Sequence, residues 1–162
     1  MSVLLGDDVI HFIDNLIDVN VQVQPAGVDL TVREILLFKE PGYLGFSERR
    51  LPECIQLKTN SEDYWILYPA GAYKVIFNEI IRVPEDCIGI CKPRSSLIRM
   101  GATLITAIWD PGYVGRSEAL LVVFNPYGIY LKRNARIGQL IFIKLTNKAR
   151  KKYSGSYQYE NI

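Results

Sequence analysis

A mainly β fold, a sandwich or a barrel, is what this sequence predicts, and two observations predict it. Short apolar stretches recur along most of the chain, cut about every eight to twelve residues by Gly, Pro, Asn or Asp; that spacing marks an all-β domain, not alternating β and α units. Helical spacing appears in earnest only near the N-terminus. The 162 residues, 49% hydrophobic and 22% charged, suit one globular domain with one good core.

In chain order, Val9, Phe12, Ile13, Leu16 and Ile17 fall on one helical face behind Asp7 and Asp8. Acids favour a helix N-terminus, so a short helix is expected over about residues 6–18. Strands are expected at 28–38, 54–58, 65–68, 73–77, 80–83, 87–92, 104–108, 119–124, 129–132 and 137–145. Residues 95–100 have room for one helical turn. No internal repeat or long linker interrupts residues 1–147. Residues 148–162 differ: Lys148, Arg150, Lys151 and Lys152 precede Tyr153-Ser154-Gly155-Ser156-Tyr157-Gln158-Tyr159. This basic, aromatic arm could order over a ligand as a lid, pack on a neighbouring subunit, or fray.

Composition excludes several function classes. No apolar run approaches the roughly 18 residues that cross a bilayer, and Asp7 and Asp8 stand where a signal peptide carries lysines, so a cytoplasmic protein is expected. A net charge of +2 gives no argument for nucleic acid or membrane as a partner. Cys54, Cys87 and Cys91 read as reduced, buried thiols. With the lone His11 they make no zinc ligand set, and they lack the H-x-E…P-C-x-x-C pattern of zinc deaminases.

Four segments could carry chemistry. Trp109-Asp110-Pro111-Gly112-Tyr113 holds a carboxylate on a turn, three residues before an aromatic ring, with apolar runs leading in and out. Pro25-Ala26-Gly27-Val28-Asp29-Leu30 puts an acid just inside a strand. Pro93-Arg94-Ser95-Ser96-Leu97 offers a guanidinium, two hydroxyls and helix-start N–H groups, a combination suited to phosphate. In Arg136-Ile137-Gly138-Gln139-Leu140-Ile141-Phe142 the alternation can turn the Gln139 amide toward an apolar side, where it needs a partner. Taken singly, Asp29 and Asp110 could be turn residues, Arg94 a surface charge, Gln139 a strand-edge amide and Tyr113 core packing.

As an ordered set, AGVDL, PRSSL, WDPGY…N and RIGQLIF resemble the motifs of the dUTPase and dCTP deaminase superfamily, from about Gln24 to Phe142. The resemblance implies a distorted β-barrel or jelly-roll subunit, a homotrimer, and active sites shared between subunits. Metal-independent dCTP deamination in that superfamily uses a glutamate three residues before the asparagine that closes a strand. Here Val122 holds that place before Asn125, and valine cannot transfer a proton. Glu118 is the nearest acid, but about 13 Å of strand separates it from Val122. Arg99, the Asp-Pro-Gly-aromatic turn and the tail resemble deaminases more than ordinary dUTPases. The sequence therefore looks like an archaeal or viral-type dUTPase on a deaminase-like backbone, with a dCTP deaminase or a bifunctional dCTP-to-dUMP enzyme as the alternative.

The resemblance implies hydrolysis of dUTP to dUMP and pyrophosphate by water attacking the α-phosphorus. Asp110 would activate the water, and Tyr113 would lie on the sugar and exclude a 2′-OH. Arg94, Ser95 and Ser96 would hold the phosphates, and Gln139 would contact the α-phosphate region. Mg²⁺ on the triphosphate would meet Asp29 through water. Backbone groups near 104–108 would read uracil, and Tyr157 or Tyr159 would stack on it.

Overall fold

The computed structural model describes residues 2–162, and the mainly β expectation holds. Among the described residues nine strands form one curled antiparallel sheet, with small hairpins beside it. Its backbone is the long strand Gly27–Phe38. The first half of that strand pairs with Arg136–Lys144 (Asp29 opposite Gln139), and the second half pairs with Ala72–Phe77. Register shifts near Arg33 and Arg136–Gly138 bend the ladder between these halves, as bulges do in barrels. From Ala72–Phe77 the order continues to Glu118–Val123 and Ala102–Ile105; on the other side Cys87–Pro93 flanks Arg136–Lys144.

The two ends of this path meet at a single bridge. Gly89 donates to the Trp109 carbonyl at 2.9 Å and accepts from the Trp109 N–H at 3.0 Å. A Cβ on Gly89 would lie 3.1 Å from Trp109 Cβ and 3.2 Å from the Phe142 ring, so glycine lets the chains close. Inside, Leu30, Ile35, Phe77, Leu121, Leu140 and Phe142 are fully buried. Strand Glu118–Val123 alternates half-buried and buried positions, the period-2 signature of one core face.

The N-terminal helix is shorter than its apolar spacing suggests. An α-turn at Gly6–Val9 and a 3₁₀ turn at Ile10–Phe12 give way to a strand at Ile13–Asp14, which pairs with Ile80–Arg82. Asn15, at φ +62°, then adopts a left-handed conformation that no helix can pass through. Buried Ile13 serves the core from a strand as well as it would from a helix, so spacing alone misjudged the length. Residues 106–108 likewise leave the ladder that 104–108 was expected to extend. No helix among the described residues is long and apolar enough to cross a membrane.

Candidate functional site

Asp110 follows directly on the bridge that draws the sheet closed. Its carbonyl accepts from the Tyr113 N–H at 3.1 Å, with Pro111 next and Gly112 at φ +83°. That is the residue order of a type II turn, which needs glycine at its third position. Among the described residues the Asp110 carboxylate has no hydrogen-bond partner and is not spent on its own turn. It lines a cavity of about 440 Å³ together with Ile108, Tyr113, Lys74, Glu118 and Tyr157. Lys74 and Glu118 form an ion pair at 3.1 Å on the wall. Ala107 and Ile108 also line the cavity, and their backbone groups make no hydrogen bond to the described residues.

Tyr113 is buried and meets the Tyr153 ring edge-on, centroids 5.6 Å apart. Its hydroxyl donates to Glu160 Oε1 at 2.7 Å. Burial and that carboxylate push the phenol pKa far up, so it stays a donor. Burial also pushes Glu160 up. The C-terminal segment is thus laid against the turn of its own chain, and Tyr157 sits under the Arg49 guanidinium, 5.5 Å from its ring centroid.

The other sequence-designated residues gather elsewhere. Asp29 is only 1% exposed; its Oδ2 accepts from Arg136 Nη1 at 3.1 Å and forms an ion pair with Arg94, whose Nε lies 3.0 Å away. Burial pushes its pKa up, against the pull of the two guanidiniums. Gln139 stands opposite Asp29 on the neighbouring strand. Ser95 and Ser96, both exposed, begin the short helix Ser95–Arg99 directly after Arg94. None of Asp29, Arg94, Ser95, Ser96 or Gln139 lines the Asp110 cavity. One chain therefore carries an acid-and-aromatic half and a guanidinium-and-hydroxyl half, set apart.

Sequence reasoning overlooked Arg136, although it begins the R-x-x-Q run that drew attention to Gln139. It also missed Glu79, which is fully buried. Glu79 takes bonds from Thr31 N at 2.9 Å, Thr31 Oγ1 at 2.6 Å and Gln22 Nε2 at 2.7 Å. Gln22 in turn donates to the Asp29 carbonyl at 2.8 Å. No local signal marks Glu79, whose partners lie far off in sequence. Val122, where a deaminase would carry its glutamate, does not line the cavity; Glu118 does.

The dCTP deaminase-like family matches residues 6–145 of this chain, and the chain belongs to that family. A protein of Methanosarcina acetivorans, named probable deoxyuridine 5′-triphosphate nucleotidohydrolase, is 50% identical over 153 residues, covering 93% of this chain and 89% of that one. A protein of Archaeoglobus fulgidus with the same name is 42% identical over 170 residues, covering 100% and 99%. The deoxyuridine 5′-triphosphate nucleotidohydrolase of Methanocaldococcus jannaschii is 41% identical over 150 residues, covering 91% and 93%. Among solved structures, the 2′-deoxycytidine 5′-triphosphate deaminase of Agrobacterium tumefaciens superposes with a TM-score of 0.69 at 19% identity. That match covers 87% of this chain and 48% of the other, so this chain spans about half its length, and the likeness is one of fold.

Proposed function

We propose that this chain hydrolyses dUTP to dUMP and pyrophosphate, as the names of its archaeal relatives suggest. The observation that carries the reading is the Asp110 carboxylate, unpartnered and on the cavity wall beside Tyr113, while Val122 stands where deamination needs a glutamate. Asp110 takes a proton from a water molecule and directs it at the α-phosphorus, general-base help worth about 10²–10⁴ in rate. Tyr113, fixed by Glu160, lies against the deoxyribose and leaves no room for a 2′-OH. The unused backbone groups of Ala107 and Ile108 suit uracil, whose N3–H needs an acceptor and whose O4 needs a donor. Tyr157 stacks on the base.

Arg94, Ser95, Ser96 and Gln139 hold the phosphates, with Arg136 beside Arg94 and both guanidiniums aligned by Asp29. These lie apart from Asp110 in one chain, and the homotrimer that the family resemblance implies would let a neighbouring copy supply them. No cluster of His, Cys, Asp or Glu among the described residues could hold a metal ion by itself. Asp29, buried and claimed by two guanidiniums, suits a water-mediated contact and not direct ligation. A Mg²⁺ ion carried on the three phosphates would neutralise their charge. The cytoplasm, where nucleotides are made, is the proposed location.

Glu118 on the cavity wall keeps deamination as the second reading. Incubating the protein separately with dUTP and dCTP, then separating products by ion exchange, tests both. We expect dUMP and pyrophosphate from dUTP and no ammonia from dCTP. Ammonia and dUMP from dCTP would overturn the reading in favour of a bifunctional enzyme.

A further inference from the structure

The turn that presents Asp110 is held from two sides. On the inner side Val83 donates to the Tyr113 carbonyl at 2.9 Å and accepts from the Gly112 N–H at 3.0 Å. On the outer side every partner comes from the C-terminal segment. Tyr153 N donates to the Pro111 carbonyl at 2.8 Å, and Tyr159 N to the Val114 carbonyl at 2.7 Å. Gln158 spans the turn: its Nε2 donates to the Gly112 carbonyl at 3.0 Å, and its Oε1 accepts from the Val114 N–H at 3.0 Å. Glu160 accepts from the Tyr113 hydroxyl with its carboxylate and from the Arg116 N–H with its carbonyl, the latter at 3.0 Å.

Two features go beyond ordinary packing of a chain end. The Gln158 amide imitates a rung of sheet ladder, satisfying a donor and an acceptor two residues apart that would otherwise need water. Glu160 places a half-buried carboxylate against a neutral phenol, with no cation bonded to it among the described residues; burial and the Glu118 carboxylate disfavour its charge, against the pull of the Tyr113 hydroxyl and the Lys74 ammonium. Such burial is costly unless the bond it makes is needed.

We propose that Gln158 and Glu160 are positioning residues, clamping the Asp110–Tyr113 turn so that acid and ring keep their places on the cavity wall. The inference rests on the reading of Asp110 as the general base. The segment is then part of the machinery of its own subunit, and docking of residues 153–161 and the aim of Asp110 are one event. A displacement of about 1 Å at a reacting group can cost as much as 10² in rate, so a loosened turn lowers kcat.

The test uses full-length Gln158→Ala, Glu160→Ala, Glu160→Gln and Tyr113→Phe, with Asp110→Asn as reference. For Gln158→Ala and Glu160→Ala we expect kcat on dUTP to fall by about tenfold or more, with a smaller change in KM and an unchanged melting temperature. Glu160→Gln, which keeps an acceptor for the hydroxyl, should restore much of the loss. Glu160→Ala combined with Tyr113→Phe should be no worse than Glu160→Ala alone, because one bond is lost in both. Amide exchange gives a readout independent of activity: the Val114 N–H should exchange faster in Gln158→Ala. Wild-type kcat and unchanged Val114 exchange in Gln158→Ala and Glu160→Ala would overturn the clamp. If Asp110→Asn itself keeps full turnover, the general-base reading has failed instead. Should Glu160→Ala not fold, Tyr113→Phe removes the same bond from the other end and decides the matter.

Discussion

At the scale of the residue, Asp110 stands out because its carboxylate is left free. Turn aspartates commonly bond their own backbone, yet here the backbone closes the turn through the Asp110 carbonyl, and the side chain has no partner among the described residues. The sequence marked the turn but not the free side chain: an Asp-Pro-Gly run between apolar stretches leaves few backbone conformations open, while the carboxylate could still have bonded the turn itself. Asp110→Asn should bind dUTP with near wild-type affinity by calorimetry yet turn over at least about 10² more slowly; wild-type rates would remove it from its role. Arg136 was less legible, since its meaning depends on a strand register that brings it to Asp29. The thiols behave as their setting dictates. Burial pushes Cys87 up to about 11 and Cys91 up to about 12, which leaves both inert.

At the scale of the element, strand placement was largely readable because turn residues punctuate the chain, whereas the helix was not. Apolar spacing over residues 6–18 fits a helix, but it fits an α-turn, a 3₁₀ turn and a strand equally well once Ile13 finds Ile81 across a ladder. What ties these elements together is Glu79, which joins the helix Val19–Gln22 to the strand Gly27–Phe38 through Gln22 and Thr31. Burial raises the Glu79 pKa above its ordinary 4.5, even against three donors. A carboxyl raised in the folded state contributes stability that is fully present below its unfolded pKa and is lost as pH rises through the folded value. Urea unfolding from about pH 4 to about pH 8 should therefore show the wild type losing stability relative to Glu79→Gln, although the variant is less stable at low pH. We expect a deficit of about 1–3 kcal/mol there, because an amide N–H₂ must face donors. Parallel pH curves would mean that another group titrates.

At the scale of the whole molecule, the split between the Asp110 cavity and the Asp29–Arg94–Arg136 cluster is the feature that sequence order hides. Motifs read along a line look like one site; the barrel sets them in two places. Two inactive variants should therefore complement each other. Asp110→Asn and Arg94→Ala, refolded together in equal amounts, should recover about a quarter of wild-type dUTP turnover, since random assortment in the proposed cyclic trimer pairs an intact acid with an intact guanidinium at one site in four. A mixture as inactive as its parents would mean that each chain works alone.

The Gly89–Trp109 bridge gives this architecture a further property. The last stitch of the wall is also the mounting for the acid, so competence comes all at once. A half-assembled or half-melted chain is then an idle one, not a slow and indiscriminate consumer of nucleotides, and heat should extinguish its chemistry at the same temperature at which the wall comes apart.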